Sequence, residues 1–223
     1  MRSGNFRIEP IIYEMVTLDS RAKLNGFLYT MCHRSLDFFA RHVKTLLMSS
    51  VEDRDFLEIL SACTGVVNLA CWNCGQERLI EPSPGLCRLS THLDCMSRST
   101  FVNVTHLEVV GAWPDTETLS LFPSLTHLAL DDDGRFITEE DLILLSDLSS
   151  SSDLLKIIII LIRDPEFATS IVDHDNLGLI SLKQPPDLQS FVSDWEAPVR
   201  GGADMWVRAE EEAEMRRACI DRK

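Results

Sequence analysis

An α/β chain built from short parallel strands laid side by side is what this sequence predicts, and three observations predict it. First, a six-residue pattern, apolar-x-x-apolar-x-apolar, recurs along the chain. It begins at residues 13, 43, 66, 86, 104, 125, 154 and 177, at spacings of 30, 23, 20, 18, 21, 29 and 23. Second, several of these segments are separated by stretches that read as helix or turn, so the basic unit is strand, connection, strand. Third, the chain closes on a segment with helical character, from Asp204 to about Arg217. Repeats of roughly 20–29 residues with this core are the mark of a leucine-rich-repeat solenoid. The fold class is therefore α/β, an irregular leucine-rich-repeat-like solenoid with short parallel strands and a C-terminal helix.

The elements follow in order. Residues 1–10 are polar and read as a disordered N-terminus. Ile11 to Leu18 reads as a strand. Leu24 to Phe39 carries Leu24, Phe27, Leu28, Met31, Leu36 and Phe39 near helical spacing, with a break at His33 to Ser35. Val43 to Met48 is the next strand. A helix then runs from Ser50 to about Cys63, with Ser49 or Ser50 as its cap and Glu52, Asp53 and Asp55 at the positive end of its dipole. Asn73 to Gly85 is loop, and Leu86 to Ser90 is strand. Thr116 to Phe122 is one helical turn before Pro123.

Asp131-Asp-Asp-Gly134 is a solvated turn; Arg135 and Ile137 stand where a calcium loop needs oxygens. Thr138 and Asp141 form a capping box that starts a helix to about Leu148. Lys156 to Ile162 is β-branched and apolar on both faces, the pattern of a buried parallel strand. Leu177 to Leu182 is the last strand. The domain division is 1–10 disordered, 11–190 leucine-rich-repeat-like, and 191–223 a capping segment and helix that shields the apolar end of the stack.

Composition narrows the function. The net charge is −14 and the pI about 4.8. Such a surface repels phosphate backbones and anionic lipid, which argues against nucleic acid and membrane as partners. The longest apolar run, Leu154 to Ile162, is far short of the roughly 20 residues that cross a bilayer. No signal peptide stands at the N-terminus and the cysteine count is odd, at seven. Together these point to an intracellular protein, cytoplasmic or nuclear, with reduced thiols.

Candidate sites come from the alternation of the strands. In Val104-Thr-His-Leu107-Glu-Val109, residues 107 and 109 point inward and His106 and Glu108 outward. By the same reading Asn68, Arg88, His106 and His127 form one row, and Ala70, Ser90, Glu108 and Ala129 the next. That open sheet face is the expected binding surface, with Asn68, Arg88, His106, Glu108 and His127 as its recognition residues. A rival reading uses Cys71-Trp-Asn-Cys74, which with Cys87 and with Cys95 or His92 has zinc-ligand character. Against it, Cys71 also occupies an inward repeat position, where a cysteine simply packs. No phosphate loop and no nucleophile elbow occur, so the chain reads as no enzyme, needing no cofactor.

Four segments and the tail carry a likeness to a known family. Residues 9–18, 37–48, 101–109 and 122–130, with Asp194-Trp195, Gly201-Gly202 and Asp204 to Glu210, resemble the expanded set of mushroom-type fungal F-box proteins. The resemblance implies an F-box joined to leucine-rich-repeat-like units, the first docking on a ubiquitin-ligase adaptor and the second presenting a substrate. An F-box would stand before the segment that begins at Phe6, and residues 1–10 hold no Leu-Pro-led helical segment. The likeness therefore covers the repeat half. It implies a protein partner of unspecified identity, and the ligase adaptor only if an F-box lies upstream. A non-functional relic of an expanded family is the remaining alternative.

Overall fold

The computed structural model describes residues 9–49, 51–72, 80–111, 113–131, 154–163 and 178–220, and residues 138, 143, 145, 147 and 148 between them. Its framework is one open sheet of eight parallel strands whose spatial order is their order in the chain. The strands are β1 (Met15–Leu18), β2 (Thr45–Ser49), β3 (Asn68–Trp72), β4 (Arg88–Thr91), β5 (His106–Val109), β6 (His127–Asp131), β7 (Ile157–Ile162) and β8 (Leu179–Lys183). Helices α1 (Glu9–Glu14), α2 (Arg21–His33), α3 (Leu36–His42), α4 (Asp53–Ala62) and α5 (Thr116–Ser120) lie between strands or before the first. Helices α6 (Leu188–Glu196) and α7 (Met205–Ile220) follow the last strand.

The repeat pattern sets the register. Leu46, Leu69, Leu89, Leu107 and Leu128 stand in one row, and Met48, Cys71, Thr91, Val109 and Leu130 in the next. Segments 104–109 and 125–130 are adjacent parallel rungs, with His106 opposite His127. Both rows join the main core, where Phe39, Phe56 and Phe101 are completely buried. Each such side chain contributes roughly 1.5–3 kcal/mol of burial. Tyr13, Phe27, Phe38 and Phe39 meet edge to face at 5.2–6.1 Å, and Phe101 stacks on Phe122 at 5.0 Å. Gly65 is demanded by close approach, since a Cβ there would sit 1.8 Å from the Ala40 carbonyl oxygen.

The last two strands are displaced by one residue from the expected motif. Leu128 pairs with Ile158 and Leu130 with Ile160, so Ile158 and Ile160 take the inward positions expected of Ile157 and Ile159. In β8 the inward residue is Leu179, while Ile180 and Leu182 turn to the opposite face. All six residues of β7 are apolar, so a period of two has nothing to discriminate there.

Local corrections are few. Residues 9–14 are helix where a strand was expected from Ile11, and only Met15–Leu18 is extended. The break at His33 to Ser35 separates α2 from α3. Glu52, not Ser49 or Ser50, is the N-cap of α4, and it makes no side-chain cap bond. Residues 1–8, Cys74, the acidic turn after Asp131 and the partner residue Asp141 of the expected capping box lie outside the described residues.

The larger correction concerns residues 188–220. They do not stop the end of the stack; they cover its second face. Helix α6 lays Phe191, Val192 and Trp195 against Leu47, Ala70 and Trp72. Helix α7 lays Met205, Trp206, Ala209 and Ala213 against Ala129, Ile157, Ile159, Leu161 and Ile180. Small residues at 209 and 213, one turn apart, let the helix approach the sheet closely. The sheet is therefore apolar on both faces at its two ends, with a polar strip between.

Candidate functional site

Two places gather functional side chains: the polar strip beneath α6 and α7, and a cleft at the carboxyl ends of the strands.

The strip holds every residue expected on the binding face. Asn68, Arg88, His106 and His127 stand in one row and Ser90, Glu108 and Ala129 in the next, as the spacing predicts. The face they form is not open. Glu108 is 3% exposed and His127 5%, because the terminal helices lie over them. Alternation identifies the side of the sheet, and it carries no information about what covers that side.

Several of these polar groups have a partner from across the interface or from the next strand. Arg88 donates to Asp204 at 2.7 Å, and the other oxygen of Asp204 accepts the Val207 N–H at 3.0 Å. One carboxylate thus fixes the start of α7 to β4. Asp194 of α6 accepts from the Met205 N–H at 3.2 Å and pairs with Arg208 at 2.7 Å, joining the two helices. The rings of His106 and His127 stack at 4.3 Å, nearly parallel, and the Trp206 indole stands edge-on to both at 5.1 and 6.0 Å. His127 Nε2 lies 3.1 Å from Glu210 Oε1, and its Nδ1 lies 2.8 Å from the Thr126 hydroxyl. A neutral ring protonated on Nε2 donates to Glu210, while the single Thr126 hydroxyl proton is shared between His127 Nδ1 and the Thr105 carbonyl at 3.0 Å.

Burial governs the ionisation of this strip. It drives His106 down to about 3, helped by His127 and Arg88, so His106 is neutral at physiological pH. Burial also lowers His127, against the opposing pull of the Glu210 carboxylate. Glu108 is pushed up to about 7 by burial, with Asp131 and Asp194 adding to the rise and the Ser90 hydroxyl opposing it. Ser90 Oγ in turn accepts from Trp72 Nε1 at 2.7 Å. A cavity of about 40 Å³ lies beside these groups, bordered by Glu108, Arg88, Asp194 and Asp204 and by apolar side chains that include Trp195. It has room for a water molecule. Trp195 Nε1 is buried with no hydrogen-bond partner among the described residues.

The cleft is larger, about 580 Å³. Trp72, Asp131 and Lys183 bring it the last residues of β3, β6 and β8, and Val110, Arg163 and Gln184 the first residues after β5, β7 and β8. Gln184 organises it. This side chain is 4% exposed, donates to Asp131 and accepts from Arg163 Nε–H at 2.5 Å. Phe191 of α6 closes one side against Trp72, their rings edge to face at 5.8 Å.

The expected zinc set is not brought together by the residues described. Cys71 and Cys95 sit in the main apolar core, Cys87 is half-buried with its thiol 3.5 Å from the Gly85 carbonyl, and His92 borders the cleft. Cys74 lies outside the described residues. Among the described residues no three His, Cys, Asp or Glu side chains are grouped to hold a metal.

Sequence reasoning missed helix α6 and the cleft. The signal for α6 was present: Asp187 caps it by accepting the Ser190 N–H at 2.8 Å, and Leu188, Phe191, Val192 and Trp195 follow at helical spacing. The cleft has no local signal, because its residues come from the ends of strands far apart in the chain.

No family model matches the chain, and no curated protein matches its sequence. No helix among the described residues is long and apolar enough to cross a membrane.

Proposed function

We propose that this chain is a non-catalytic, intracellular protein-recognition module whose sheet is an irregular leucine-rich-repeat-like solenoid. We infer further that it serves as the substrate-recognition part of an F-box-type ubiquitin-ligase receptor when an F-box is joined ahead of it. One observation carries the reading: eight strands pair in chain order, and the repeat motif fixes the register of the first six. Stacked units that contact only their neighbours make an extended surface instead of a single deep pocket, and such surfaces serve binding. The likeness of residues 9–18, 37–48, 101–109 and 122–130 to mushroom-type F-box proteins supports the ligase part. With α6 and α7 over the sheet face, recognition falls to the strand ends and the connecting segments.

The test is cross-linking followed by affinity capture of the tagged chain from its own cells, together with sequencing of the coding region ahead of Met1. Stoichiometric recovery of a protein partner is expected. The ligase adaptor is expected in addition where an F-box precedes the chain. Recovery of the chain alone overturns the recognition reading. An upstream F-box with no adaptor recovered overturns the ligase part.

A further inference from the structure

We propose that the stacked pair His106 and His127 is an acid-operated latch: protonation of the pair releases α7 while the sheet beneath it stays folded. The device goes beyond the recognition reading and does not depend on what the chain binds.

Three features carry it. The first is the geometry of the pair. The two rings come from adjacent rungs, lie within 2° of parallel and stand 4.3 Å apart, centre to centre. Two imidazolium rings at that separation, away from bulk water, repel each other strongly.

The second is the charge around the rings. Arg88 of β4 acts on both of them and is itself held by Asp204 of α7. Lys156, just before β7, acts on His127, and Glu210 of α7 binds His127. Two cations thus meet two carboxylates, and a proton added to the pair meets no further anion. Glu108 of β5 stands in the adjoining row and keeps its own proton below about pH 7. Asp194 of α6 is paired with Arg208 of α7. Asp131 lies four residues beyond His127 on β6, roughly 13 Å along the strand, too far to pair with either ring. Burial, the largest cause, holds both imidazoles below the ordinary histidine value.

The third is position. Helix α7 rests on the pair through Trp206, whose indole stands edge-on to both rings. Ahead of the helix Gly201, at φ +76°, and Gly202 are exposed, and they form a hinge on which α7 can leave without α6. The main core lies on the other face of the sheet and is untouched by that motion. Release uncovers Ala129, Ile157 and Ile159.

The sign follows from proton counting. On release both imidazoles return to ordinary values near 6.5, so below that pH the released form binds two more protons. Glu108 returns toward 4.5 and gives one up. The net uptake is one proton, so release becomes about tenfold more favourable for each unit by which pH falls from about 6.5 toward 5.

The test is amide hydrogen exchange, followed by NMR on the full chain labelled with nitrogen-15, from about pH 6.5 to about pH 5 and corrected for the intrinsic pH dependence of exchange. The opening constant of the α7 amides from Ala209 to Arg216 should rise about tenfold per unit. At pH 5 it should stand at least about tenfold above that of the amides of β3, β4 and β5, which open only with the sheet. His106→Phe keeps a stacked ring that cannot titrate and should flatten the α7 response. Glu108→Gln, which removes the opposing proton, should steepen it to about a hundredfold per unit. An α7 response that is flat in the wild type, that coincides with opening of the strands, or that Glu108→Gln leaves unchanged overturns the proposal, whether or not His106→Phe folds.

Discussion

Replacing Glu108 with glutamine should remove the part of the pH dependence that weakens the fold as pH rises. The Glu108 carboxyl is buried in the middle of the sheet and titrates near 7, against 4.5 for an ordinary glutamate. A raised carboxyl value means that the folded state holds its proton more tightly than the unfolded chain does. Between 4.5 and about 7 the native protein therefore binds more protons, and stability from this group falls as pH rises through that window. At 1.36 kcal/mol per tenfold in proton affinity the gap amounts to about 3 kcal/mol at most. The imidazoles of His106 and His127 act in the opposite direction. Their lowered values make the folded state lose stability as pH falls below the ordinary histidine range. Wild-type stability is the sum of these trends, so the informative quantity is the difference between Glu108→Gln and wild type. Glutamine keeps an oxygen for the Ser90 hydroxyl and cannot ionise. In urea denaturation at about pH 5 and about pH 8, the variant should gain on wild type by roughly 2–3 kcal/mol between the two conditions. A difference that stays within about 0.5 kcal/mol, or that moves the other way, refutes the assignment of a buried, reluctantly charged carboxyl.

Two other perturbations test the interface and the core. Trp206→Ala removes the indole that stands against the stacked histidines at 3% exposure, and should cost about 3–5 kcal/mol in denaturant unfolding; a loss under about 1 kcal/mol would mean that α7 is not a structural part of the sheet. Burial pushes the Cys63 thiol up to about 12, so an aromatic disulfide reagent near neutral pH should modify the exposed Cys32 and Cys219 first and reach Cys63 only as the protein unfolds; equal rates at Cys63 and Cys32 would contradict its place in the core.

The sheet was legible in the sequence wherever polar and apolar residues alternate. Val104-Thr-His-Leu107-Glu-Val109 and Leu125-Thr-His-Leu128-Ala-Leu130 announce both their strands and their mutual register. Legibility ends in β7, where six successive apolar residues serve either face equally well, and the error of one residue passes on to β8. The candidate site shows a different limit. Arg88, His106, Glu108 and His127 were found at their true positions on the sheet, but a polar residue looks the same from its own sequence neighbourhood whether water or a helix lies over it. The groups that answer them, Asp204, Trp206 and Glu210, are some 80 to 116 residues further on. Such a pairing is a property of the folded chain and of no window within it.

Helices α6 and α7 reach back a long way: Glu196 accepts from the Thr17 hydroxyl of β1, and Asp204 holds Arg88 of β4. Strand upon strand can add to the growing sheet while the polypeptide is still leaving the ribosome, since each meets the one made just before it. Helices α6 and α7 emerge after every strand, and until they do Leu47, Ala70, Ile157 and Ile159 lack their cover. A nascent chain of this design carries an apolar sheet face until those helices form, so its fate turns on how soon they follow and on which chaperone meets that face first.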